Sequence, residues 1–141
     1  MLLVTVEVAQ KIKEDFFPHM KGEPIFFHIS QNVLNFMCDN YSHTIFCPLH
    51  FSNNRFPTIP AKYTNSQGLV SVFFHEMGHL HDNNPTDTFE QLVDAEEFAQ
   101  KWAIAEAKKH NDVYVKILLA VFHNWKDRDV IDDPKVRFIL K

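Results

Sequence analysis

The chain has 141 residues, 45% of them apolar, and a formal charge of −4. That length implies one domain spanning residues 1–141, with enough apolar content for a proper core. The negative balance excludes a global field that would draw the chain to nucleic acid or anionic membranes, and no stretch approaches the about 18 apolar residues that a membrane span needs. The start, Met1-Leu2-Leu3-Val4-Thr5-Val6-Glu7, has no basic leader region and meets Glu7 before any long apolar run. No secretory signal is expected, and the expected location is cytoplasmic. In that setting Cys38 and Cys47, which lack C-x-x-C spacing, are expected to be reduced thiols.

Residues 4–17 predict a helix, with Val6, Ala9, Ile12, Lys13 and Phe16 at helical spacing and Pro18 as its stop. Residues 24–29 predict a strand. Residues 33–38 and 43–49 predict a hairpin around Asp39-Asn40-Tyr41-Ser42, and 52–60 a loop. A helix follows from about 66 to 81, ended by Asp82-Asn83-Asn84-Pro85. Thr88 with Gln91 forms a capping box that opens a further helix over about 89–109. Another spans about 112–126, and Asp133-Pro134 starts a short last helix, by a cap followed by proline at its first position.

His75-Glu76-Met77-Gly78-His79, an H-E-x-x-H, lies in the helix of 66–81. Histidines four apart stack on one face, one turn apart, and can reach a single metal ion. Glu76 leaves the helix about 100° away, placed to reach a metal-bound water without binding the metal. Leu69, Val70, Val72, Phe73 and Phe74 make this a mostly buried helix, in which two histidines and a glutamate are costly without a partner. Gly78, unfavourable in a helix interior, predicts that something approaches the backbone closely. A catalytic zinc takes three protein ligands, so the third is expected from the next helix. On its wheel Glu96 is centred among Phe89, Leu92, Val93, Ala99, Gln100, Ala103 and Ala107, whereas Glu97 shares a charged stripe with Glu90, Asp94 and Lys101. A carboxylate inside an apolar stripe is rarely buried unless it binds metal or is paired. Glu96 is therefore the first choice as third ligand, and Asp87 the second.

The string Glu96-Glu97-Phe98-Ala99-Gln100-Lys101-Trp102-Ala103 resembles the E-x-x-A-[N/D]-x-[F/W]-A signature that follows H-E-x-G-H in small metallopeptidases of the ImmA/IrrE type and related minimal gluzincins. The resemblance covers mainly residues 66–105. Carried over residue by residue, it implies His75, His79 and Glu96 as metal ligands and Glu76 as catalytic base. Gln100 stands where the family carries Asn or Asp, a long amide expected to buttress a ligand histidine, and the family's R-F-T-x-A lead-in before the first histidine is missing. The fold expected is α+β and zincin-like: a small, mostly antiparallel sheet of about three strands packed on the H-E-x-x-H helix and the Glu96 helix, with additional C-terminal helices.

The function expected is a zinc-dependent endopeptidase with one catalytic Zn2+, its bound water brought to a pKa of about 7 and deprotonated by Glu76. Its partner would be a protein or peptide substrate, laid by strand addition along an exposed edge near the metal helix, with 43–49 as the edge chosen. By the resemblance that substrate would be a cytosolic regulatory protein such as a repressor. The alternative is a zincin-shaped, non-enzymatic module that engages a protein partner; an intact Glu76 favours the enzyme. Metal-dependent hydrolysis of something other than a peptide is a third reading. Of the remaining histidines, His81 lies about 200° from His79 and is expected to serve the helix C-terminus, while His28, His43 and His50 read as exposed sheet positions. Tyr63, just before the metal helix, is placed to offer a hydroxyl to the cleft.

Overall fold

Thr5 decides where the first helix starts. In the computed structural model, which describes residues 1–122, a short strand β1 (Leu2–Leu3) is followed by helix α1 (Val6–Phe16). The Thr5 hydroxyl accepts the Val8 N–H at 3.1 Å, satisfying one of the donors a helix N-terminus leaves open. Pro18 ends the helix and begins a single 3-10 turn, Pro18–Met20.

Four strands follow: β2 (Phe26–Ser30), β3 (Met37–Asp39), β4 (Thr44–Pro48) and β5 (His50–Phe51). β3 and β4 form the expected antiparallel hairpin, with Cys38 opposite Ile45. The sheet as a whole is mixed, which corrects the mostly antiparallel expectation. Its order is β2-β4-β3, and β2 pairs with β4 in parallel, Phe27 opposite Ile45 and Ile29 opposite Cys47. The cause lies in residues 31–36. They carry the chain past the place that β4 later takes, so β4 enters between two strands already running in opposite directions. One sheet face thereby gathers Phe27, Ile29, Cys38, Ile45 and Cys47, and Ile45 and Cys47 are fully buried. β1 pairs with β5 in a second, two-stranded sheet that no local sequence signal announces.

That inner face packs on helix α2 (Asn65–Leu80), with Phe73 edge-on to Phe27 and Phe36. α2 opens on a capping box formed by Thr64 and Gln67. It is buried on nearly every side, as a central core helix must be. Phe74, on the side away from the sheet, meets Phe16 and Phe17 from around the end of α1 and Tyr114 of helix α4 (Asp112–Phe122). Helix α3 (Phe89–Lys108) begins at the Thr88/Gln91 capping box and packs along α2. The architecture is α+β. No helix of the described residues is long and apolar enough to cross a membrane. The helix expected at 133–134, and the last turn of the one expected to reach 126, lie outside the described residues.

Candidate metal centre

α2 and α3 can approach so closely because residue 78 has no side chain. A Cβ built on Gly78 would lie 2.6 Å from the Ala99 carbonyl oxygen and 2.9 Å from the Ala99 Cα. The close neighbour expected of this glycine is thus the α3 backbone, three residues beyond Glu96. On α2, His75 and His79 face the same way, one turn apart. On α3, Glu96 lies on the buried side while Asp94 is exposed and Glu97 half-buried, as the wheel predicts.

The three side chains meet. Glu96 Oε2 lies 3.0 Å from His75 Nε2 and 3.2 Å from His79 Nε2, and the two Nε2 atoms are 3.1 Å apart. Hydrogen bonds alone do not fill this triangle: each imidazole nitrogen carries at most one proton, held in the ring plane, so it serves one edge. A tetrahedral ion bound at 2.0–2.1 Å separates its ligand atoms by about 3.3 Å, close to the three distances here. The donor set, two imidazoles and a carboxylate, fits that of catalytic zinc. Among the described residues Glu96 pairs with the two histidines and with no lysine or arginine.

Electrostatics holds His75 and Glu96 in the forms that bind metal. Burial lowers His75 to about 4 against the pull of its Glu96 hydrogen bond, so the ring is neutral near pH 7. Burial alone would raise Glu96, but the His79 charge and the hydrogen bonds from both histidines outweigh it and bring the carboxyl down to about 2. Metal binding requires these deprotonated forms.

The cluster opens on a cleft of about 790 Å³ whose lining includes Glu76, His79 and Glu96. Glu76 is only 3% exposed and stands beside the cluster without contributing a ligand atom to it. Burial, then the Glu76 charge, pushes the Cys38 and Cys47 thiols well up, and neither cysteine belongs to the cluster.

Other expectations fare variously. Asp87 is exposed at the cleft and outside the cluster, because it precedes the α3 cap and gives its N–H to the Gln91 side chain at 2.8 Å. His81 serves the end of α2: Nδ1 donates to the Met77 carbonyl at 2.8 Å, and the ring stacks on Trp102. His28, His43 and His50 are exposed. Gln100 gives its side-chain N–H to the Leu118 carbonyl at 3.1 Å, tying α3 to α4. Tyr63 packs on the core; the tyrosine that lines the cleft is Tyr41. The edge chosen for substrate, 43–49, is also corrected. β4 is paired on both sides, and the sheet edge that lines the cleft is β3.

Sequence reasoning missed the hairpin tip. Met37, Cys38, Asp39, Asn40 and Tyr41 all line the cleft. Asn40 fixes them there, its amide donating to the His79 carbonyl at 2.8 Å and the Asp82 carbonyl at 2.6 Å. No local signal announces contacts with residues about forty positions away. No family model matches the chain, and neither a curated protein nor a solved structure matches it.

Proposed function

We propose that the chain is a zincin-type metallopeptidase that holds one zinc ion on His75, His79 and Glu96 and hydrolyses a peptide bond with Glu76 as general base. The observation that carries this reading is the convergence of three ligand atoms within 3.0–3.2 Å of one another, with a buried carboxylate beside them in an open cleft. Bound there, the ion would supply polarisation of a carbonyl and acidification of a water. Glu76 accepts the proton of the attacking water as the new C–O bond forms, then delivers it to the departing amine as the C–N bond breaks. The β3 edge, which pairs with no second strand among the described residues, offers its backbone groups to an extended peptide, which would hold the scissile bond over Glu76. An α2 buried on nearly every side, with a sheet on one flank and the ligand helix on the other, supports the zincin arrangement.

The test compares the wild type with Glu76→Gln. Both are expected to carry about one zinc per chain by elemental analysis and to melt together, because glutamine is nearly isosteric and Glu76 is not a ligand. Hydrolysis of an internally quenched peptide library should fall by about 10²–10⁴-fold in the variant. Loss of the metal in Glu76→Gln would make Glu76 a ligand. Equal effects of wild type and variant on a cellular partner would support the non-enzymatic binding module instead.

A further inference from the structure

Tyr41 is 98% exposed, yet it belongs to the lining of the cleft. An aromatic ring left in water gains nothing from burial, and here the backbone that carries it is firmly tied. Asp39 Oδ1 accepts the Tyr41 N–H at 3.0 Å, and Asp39 Oδ2 accepts the Ser42 hydroxyl at 2.9 Å. Asn40, between them, is bonded to the C-terminal end of α2, the helix that carries both histidines. The turn therefore holds the Tyr41 backbone at the cleft, from where the exposed ring can turn a π face to whatever enters.

The charge of the cleft says what that is. Its lining holds the carboxylates of Asp39, Glu76, Asp82, Asp87 and Glu96, and among the described residues lining it there is no lysine or arginine. One divalent ion would neutralise only two of these charges. Glu76 and Glu96 are committed to the centre, and Asp82 is buried and accepts from Asn84. Asp39 is exposed next to Tyr41, and the hydrogen bonds from Ser42 and Tyr41 hold its carboxyl below the usual range. Met37, half-exposed on the same edge strand, gives an apolar wall for a side-chain stem.

Building on the peptidase reading above, we propose that Tyr41 and Asp39 are the specificity-determining pair of the cleft and receive a lysine or arginine side chain of the substrate peptide. The cation lies against the Tyr41 ring and the Asp39 carboxylate, with its stem along Met37. A single exposed ion pair is weak; ring, carboxylate and the field of the cleft act together.

The experiment uses the zinc-loaded full chain and two kinds of probe. Acetohydroxamate reports the metal centre alone. Short peptidyl hydroxamates, identical except for Arg, Leu or Glu at one position on either side of the hydroxamate, report the pair. The wild type is expected to bind the Arg probe tighter than the Glu probe by on the order of tenfold at low salt, a preference that shrinks as ionic strength rises. Tyr41→Ala and Asp39→Asn should each remove most of the preference for Arg over Leu while binding acetohydroxamate like the wild type. The amide oxygen introduced by Asp39→Asn can still accept the Tyr41 N–H, so the turn is kept, and Tyr41→Phe should retain the preference because the ring carries it. Equal binding of the Arg and Glu probes, or a preference unchanged in Tyr41→Ala and Asp39→Asn, overturns this inference and leaves the metal centre standing. Failure to bind acetohydroxamate overturns the metal centre and this inference with it.

Discussion

Glu96 and Glu97 are adjacent, chemically identical and differently placed. Glu96 is 6% exposed and bonded to two histidines, and Glu97 is half-buried on the outer side of α3. Helical geometry alone separates them, since neighbours on a helix point about 100° apart. This makes the carboxylate that meets the two histidines legible in the sequence itself: the wheel needs only one turn of apolar neighbours on either side. The same argument ranks the substitutions. Glu96→Ala should weaken zinc binding by more than about 100-fold, beyond the 10–100-fold typical of groups that only support a ligand. Glu97→Ala and Asp94→Ala should stay within about twofold, as surface changes do. Competition against a chromophoric chelator measures all three, with Asp87→Ala alongside. A large loss in Asp87→Ala and a small one in Glu96→Ala would move the third ligand to the segment before α3.

At the scale of elements, what the sequence makes legible is local. The Thr88–Gln91 capping box that opens α3 is complete within four residues of sequence and is read there, whereas the equally local Thr64–Gln67 box that opens α2 is missed and that start is expected near residue 66. The hairpin is legible from its turn residues. The parallel pairing of β2 with β4 and the β1–β5 pair are not, because nothing in a strand's own composition names a partner reached across a long loop. Gly78 lies between these cases: the sequence shows that something comes close, and only the structure shows that it is Ala99. Gly78→Ala therefore sets two effects against each other. A helix interior gains about 1 kcal/mol from replacing glycine by alanine, but the added methyl meets backbone rather than a yielding side chain, a strain of about 1–3 kcal/mol. The expected outcome is a small net loss of thermal stability and a larger loss of zinc affinity, since parting the helices carries Glu96 away from the histidines. Melting curves and zinc competition on one preparation decide it; unchanged affinity beside lowered stability would show that the close approach serves packing alone.

Across the whole molecule, the centre joins parts far apart in sequence. His75 and Glu96 bridge α2 and α3, Asn40 ties the hairpin to α2, and His110 Nε2 donates to the Phe16 carbonyl at 2.8 Å, closing the α3–α4 turn onto the end of α1. Stability of the metal-free protein should therefore follow the protonation of the centre, and the sign follows from linkage. His75 is lowered from 6.5 to about 4 on folding, so between those values the unfolded chain binds more protons and stability is lost as pH falls. Glu96 is lowered from 4.5 to about 2, so its contribution is complete above about 4.5 and lost as pH falls toward 2. Both slopes have the same direction, and neither acts above about pH 6.5. In the chelated protein these two groups should add no slope to the melting temperature between pH 8 and 7 and a steady loss of stability below about 6.5. Zinc, which binds the deprotonated ligands of the folded state, should raise the melting temperature at neutral pH by mass action and delay the acid loss until protons displace it. In His75→Phe the decline between about 6.5 and 4 should largely vanish, leaving the lower slope due to Glu96. A chelated wild type whose melting temperature stays level down to pH 4 would mean that this buried cluster does not govern the acid stability of the fold.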